Sequence, residues 1–203
     1  MGIYETSRLL AEASYRHWLA EEVFTYQWFL IVGVLLCVYV AWLLALDKSR
    51  VRDIILLGSL CAVAYGVLEI VLAGTLGFWQ YAISLVPFRP SLLVVNLSLA
   101  PVAHMLALQY SSSWKGFGAR AALLTGAISF VLLPVYVSVG IIVFHNGWNY
   151  VYHFLTLLSV GLVARGLVAW FAAVEARHGT SPRRFWRLQP SAAKLVDDEE
   201  EKP

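Results

Sequence analysis

Glu69 and Arg165 carry the only fixed charges set deep within otherwise long apolar runs of this chain. A carboxylate in hydrocarbon costs about 2.5–3.5 kcal/mol on insertion scales, so it faces the bundle interior and finds a partner. Such a group can do three things. It can hydrogen-bond two helices together, gate a proton or cation, or serve as a catalytic acid. Asn96, Tyr65, Tyr136 and His153 are the polar residues whose expected depths, at about 1.5 Å per residue, bring them near Glu69. His104 and Arg165 fall deeper toward the other end and form a second, inner polar group. A direct Glu69–Arg165 ion pair is not expected, because their depths differ by about 13 Å at that rise.

These residues must be positioned by membrane-spanning helices. The chain has 203 residues, of which 60% are hydrophobic and 14% charged. A soluble domain carries about 25% charged residues to cover its surface. A chain this poor in charge exposes apolar side chains to lipid, which makes it a polytopic membrane protein. Five runs have the roughly 20-residue length of a span: 23–46, 54–79, 91–110, 119–144 and 150–174. The sequence therefore predicts an all-α, compact bundle of five transmembrane helices over residues 23–174. Residues 1–22 are expected to form a short interfacial helix, with Glu12 and Arg16 paired at i,i+4. They hold four glutamates against two arginines, unlike the short positive n-region of a signal peptide.

Charge distribution sets the orientation. Lys48, Arg50, Arg52, Lys115 and Arg120 lie in alternate connectors with the C-terminal tail, which adds six more cations. The opposite side holds only Arg8, Arg16 and Arg89. By the positive-inside rule the N-terminus is expected outside and the C-terminus in the cytoplasm, in a multi-pass protein of the cell membrane. Trp28, Trp42, Trp79, Trp148 and Trp170 lie near span ends, as interfacial anchors do. Residues 175–203 read as a cytoplasmic tail, basic and then acidic. Its Arg183, Arg184, Phe185, Trp186 and Arg187 fit contact with anionic lipid better than with nucleic acid. No nucleic-acid partner is expected; a homo-oligomer or another membrane protein is.

Helical periodicity groups small and polar residues on single faces. Gly58, Ala62, Tyr65, Gly66, Glu69 and Ala73 share one face of the second span. Asn96, Ala100, Ala103, His104 and Ala107 share one face of the third. Thr125, Gly126, Ser129 and Tyr136 do so on the fourth. Pro101 and Pro134 each remove a backbone donor, so kinks are expected there. Cys37 and Cys61 read as packing residues.

Several chemistries are demoted. No lysine lies inside a span to hold a retinal. His104 and His153 differ in depth by about 16 Å, too far for bis-histidine haem ligation. Neither H-E-x-x-H nor G-x-S-x-G occurs. No cofactor and no metal are expected.

Glu69, the run Gly77 to Tyr81 (GFWQY), Pro87, Pro90, Asn96 and Pro101 follow one another in an order that continues with Leu108, Gln109, Tyr110, then Trp114 to Phe117, then Gly147 and Trp148. Over about residues 50–172 this order resembles a family of small multi-span membrane proteins, of uncharacterised activity, from endospore-forming Gram-positive bacteria. That family usually has Tyr-Pro where this chain has Tyr81 and Ala82. It usually has an acid where this chain has Asn96, so the resemblance does not carry a two-carboxylate site over to this chain. The leading expectation is a non-enzymatic membrane component in which Glu69 and Asn96 bond across helices. In it, Gln109 and Trp114 fix the cytoplasmic end. The rival is a proton- or cation-coupled carrier or channel with Glu69 as its protonatable site. A weaker alternative is an enzyme acting on lipid headgroups near His153 and Asn149.

Overall fold

A computed structural model describes residues 2–87 and 95–177. The start of the third apolar run, Arg89, Pro90, the basic 182–187 segment and the acidic 197–201 segment lie outside the described residues.

The fold is all-α, about 79% helical. Helix α1 (Ile3–His17) continues as a π turn, Trp18–Glu22, and α2 (Tyr26–Ala45) follows. Helix α3 (Val51–Leu68) runs on into a π segment, Glu69–Thr75. Strand β1 (Trp79–Tyr81) comes next. The π segment Val95–Leu99 leads into α4 (Ala100–Gln109). Helix α5 (Trp114–Ala127), a π segment (Ile128–Leu132) and α6 (Leu133–Ser138) make one continuous rod. Strand β2 (Ile142–Phe144) and the long α7 (Tyr150–Arg177) complete the order.

Four of these rods are long and apolar enough to cross a membrane: Tyr26–Ala45, Val51–Thr75, Trp114–Ser138 and Tyr150–Arg177. Val95–Gln109 is shorter as described. It is nevertheless the centre of the bundle, with every residue of α4 except Leu106 buried. A helix apolar and buried on all sides belongs inside a ring of other helices. Its neighbours are α2, α3, α5 and α7.

Two span ends differ from the sequence expectation. The second apolar run extends to residue 79, but the helix stops at Thr75; the fourth extends to 144, but α6 stops at Ser138. Gly77 (φ +65°) and Gly140 (φ +76°) adopt the left-handed backbone that ends each helix at little steric cost. The apolar residues beyond them pair as an antiparallel ladder, Trp79 opposite Phe144 and Tyr81 opposite Ile142. A short apolar run does not by its composition distinguish strand from helix, so hydropathy carries straight through these turns.

The ladder defines one end of the bundle. Asn146 donates through Nδ2 to the Leu76 and Gly77 carbonyls, both at 3.2 Å, tying the turn before α7 to the turn after α3. Asn149 caps α7, its Oδ1 accepting from Val151 N (3.0 Å) and Tyr152 N (3.1 Å). Trp18 and Trp28 donate to the Ser84 and Leu85 carbonyls. The end of the N-terminal segment is thereby pinned to the connector after β1, more than an interfacial helix alone would be. The opposite, basic end is closed by Gln109. Its Oε1 accepts from Asp47 N at 3.2 Å, its Nε2 donates to the Ala45 carbonyl, and its own carbonyl accepts from Arg50 at 3.0 Å. One side chain thus satisfies the frayed end of α2.

Pro101 and Pro134 each stand two residues after the close of a π segment. A proline removes an i→i−4 donor, and the wider π turn re-pairs carbonyls at i+5 just ahead of it. At each proline where the sequence suggests a kink, the structure has a π segment just ahead.

Candidate functional site

Glu69 occupies the first position of the π segment that ends the α3 rod, and it is only 1% exposed. Its carboxylate turns toward the ladder end of the bundle. Trp79 donates through Nε1 to both oxygens, at 3.2 Å each. Asn96 donates through Nδ2 to Oε2. All of these partners are donors, as an acceptor-only carboxylate requires. A hydrogen bond contributes about 0.5–1.5 kcal/mol between neutral groups and about 1.5–3 kcal/mol when one partner is charged. Among the described residues no lysine or arginine pairs with Glu69. Asn96 itself belongs to the π segment before Pro101. Both members of the pair therefore sit where the helical pitch is locally widened, a backbone state frequent at functional sites.

Aromatic packing fixes Trp79. Its ring lies 5.0 Å from that of Trp148 and meets His153 edge-on at 5.8 Å. His153 is buried, and its Nε2 has no partner among the described residues. It therefore joins the site through Trp79 rather than by bonding Glu69. Tyr136 is fully buried, and its hydroxyl has no partner among the described residues. Tyr81 lies between, within electrostatic reach of both Glu69 and Tyr136. Burial pushes the Tyr81 hydroxyl well above the usual phenol range, and the charge of Glu69 adds to it, so Tyr81 stays neutral.

Tyr65 departs from its expected place. It shares the Glu69 face of α3 but reaches the other way. Its hydroxyl donates to the Leu157 carbonyl at 2.7 Å and lies 2.7 Å from His104 Nε2. His104 Nε2 also lies 3.2 Å from the Leu157 carbonyl, so the Nε2–H tautomer of His104 suits both oxygens that face it. Side chains on a helix lean toward its N-terminus. For α3 that is the basic end, which carries the Tyr65 hydroxyl away from Glu69. Tyr65 thus belongs to the inner group.

That inner group is densely packed. A Cβ added at Gly161 would stand 2.1 Å from His104 Cε1, so α7 closes on α4 with the imidazole against its backbone. Phe117 bridges to Arg165, with its ring 6.3 Å from His104 and 4.6 Å from the guanidinium carbon. Trp114 covers the same guanidinium at 4.8 Å. Arg165 is therefore covered by two aromatic rings and only 6% exposed.

Two residues of the ladder end have roles the sequence did not disclose. Trp79 reads as an interfacial anchor but is a core donor; Trp42 is buried as well. The signal for Trp79 was its place ten residues after a buried acid, since a buried indole N–H needs an acceptor. Glu22 is a second buried carboxylate, 1% exposed, accepting from Ser84 N at 2.6 Å with His17 Nε2 at 3.6 Å. Asn149, named with His153 for a lipid-headgroup enzyme, uses its side-chain oxygen as the cap of α7. Among the described residues no group of three or more His, Cys, Asp or Glu could hold a metal, and both cysteines are free.

Comparison with family models, with curated proteins and with solved structures gave no match.

Proposed function

We propose that the chain is a non-enzymatic integral membrane component whose polar seam at Glu69 joins the second and third spans to the ladder end of the bundle. One observation carries this reading: both oxygens of a fully enclosed carboxylate are taken by donors from two other elements of the chain. A group committed in that way is a fastener. The seam would present a defined surface for assembly with a second copy or another membrane protein.

A second reading has an observation of its own. Among the described residues, the Tyr136 hydroxyl, His153 Nε2 and Trp148 Nε1 are buried without partners around the same end. Unpaired buried polar atoms mark sites for water or a small solute. A proton- or cation-coupled carrier would use Glu69 as its protonatable site and the two prolines as bending points. Reconstitution of wild type and Glu69→Gln in liposomes separates the two. The fastener reading expects no proton or cation flux from wild type and a lower melting temperature for the variant. Flux that disappears in the variant, with an unchanged melting temperature, would establish the carrier.

The proposal includes an outer N-terminus and a cytoplasmic C-terminus, supported by eleven Lys and Arg on one side against three on the other. The basic 182–187 segment would rest on anionic lipid. A cysteine introduced at Ser112 should resist an impermeant reagent added to intact cells; its labelling would reverse the orientation. The likeness to the endospore-former family belongs to this proposal too, and brings no activity with it.

A further inference from the structure

Arg165 sits at the basic end, away from the Glu69 seam, and is only 6% exposed. Among the described residues no carboxylate or carbonyl accepts from its guanidinium, and Nε is buried without a partner. Trp114 and Phe117 cover the guanidinium within 4.8 Å and 4.6 Å. Such rings engage the cation through its flat faces, whereas its five donors radiate in the plane. The edge of the fork is thus left for an acceptor that is planar or tetrahedral.

The surroundings sharpen the need for one. Arg50 stands close enough for its positive charge to act on Arg165. Asp47 and Asp53 act on Arg50, which also donates to the Gln109 carbonyl. The nearby Glu175 is turned to Arg52 at 3.7 Å. Among the described residues Arg165 has a like charge beside it and no acid paired with it. An uncompensated buried charge is destabilising in a folded protein, so it calls for a counter-ion.

We propose that Arg165, covered by Trp114 and Phe117, is the clamp of a site for one phosphate group, with Arg50 adding charge. Arginine's fork matches phosphate in a two-bond geometry that lysine cannot reproduce. The phosphate belongs either to a lipid headgroup at the membrane surface or to a free anion in solution. Both present the same oxygens.

The test is titration calorimetry of the purified full chain in neutral detergent. Three probes are used: inorganic phosphate, dioctanoyl phosphatidic acid, and dioctanoylglycerol, which lacks the phosphate. Binding of about one phosphatidic acid per chain, absent for dioctanoylglycerol, supports the site. Binding of inorganic phosphate as well identifies a free anion as sufficient; binding of the lipid alone identifies a headgroup site. Arg165→Gln is expected to weaken binding about tenfold or more, the size of a lost charged hydrogen bond. Arg165→Lys, which keeps the charge and loses the fork, is read in the same way if the glutamine variant does not fold. No binding by wild type, equal binding of dioctanoylglycerol, or unchanged affinity in the variants overturns the proposal.

Discussion

Gly161→Ala is expected to destabilise the protein strongly and to disconnect α7 from α4. The added methyl would stand 2.1, 2.3 and 2.6 Å from three atoms of the His104 ring, well inside van der Waals contact. The imidazole cannot step aside, since it is fully buried, bonded to Tyr65 and backed by Phe117. Overpacking a tight core costs about 1–3 kcal/mol, and displacing the ring also breaks the Tyr65–His104–Leu157 arrangement. Thermal melting in detergent should show a fall of many degrees. Adding His104→Ala should recover part of it, because the collision partner is gone. If Gly161→Ala melts like wild type, the close approach of α7 and α4 is wrong. The same reasoning gives Gly58 a milder role. There the atom met is Met105 Sδ, in a side chain flexible enough to turn away.

Removing the carboxylate should have a comparable effect. Glu69→Leu leaves the Trp79 indole N–H and the Asn96 amide facing a hydrocarbon wall. Each buried donor left without an acceptor costs about 1–3 kcal/mol. Glu69→Gln is only a partial repair. Its amide has one acceptor oxygen, and its NH₂ would face another donor. Both variants are expected to melt below wild type, leucine furthest. A leucine variant at least as stable as wild type would mean that the carboxylate serves chemistry at a cost in stability, which is the carrier's signature.

Much of the scaffold could be read from the residues. Length and hydropathy locate all four long rods, because burying or wetting apolar surface dominates every other local preference in such a chain. The inward face of α3 follows from period 3.6, and it correctly sets Gly58, Tyr65 and Glu69 inside. Periodicity gives an azimuth and no axial direction, which is why Tyr65 was expected beside Glu69 and is found beside His104. The lean of helical side chains toward the N-terminus supplies the missing direction.

Other features had competing local explanations. Trp79 near a span end looks like a membrane anchor, and only the turn at Gly77 swings it back over Glu69. Glu22 stands beside Glu21 in a segment that also holds Glu5 and Glu12, so nothing in composition separates the one buried acid from its solvated neighbours. The β ladder is spelled in the same apolar letters as the helices it follows. Its positioning depends on two left-handed glycines whose conformation composition does not reveal.

The fastener account rests on the bond between Glu69 and Asn96, and an exchange of the two functional groups reports on it directly. Melting temperatures are to be compared for wild type, Glu69→Gln, Asn96→Asp and the double variant. In the Asn96→Asp single variant two carboxylates meet without a donor between them; in the double variant the donor and acceptor simply trade helices. The account predicts that both single variants are destabilised and that the double variant is more stable than either, with a coupling of about 1–3 kcal/mol. Additive losses, leaving the double variant the least stable of the four, would contradict it.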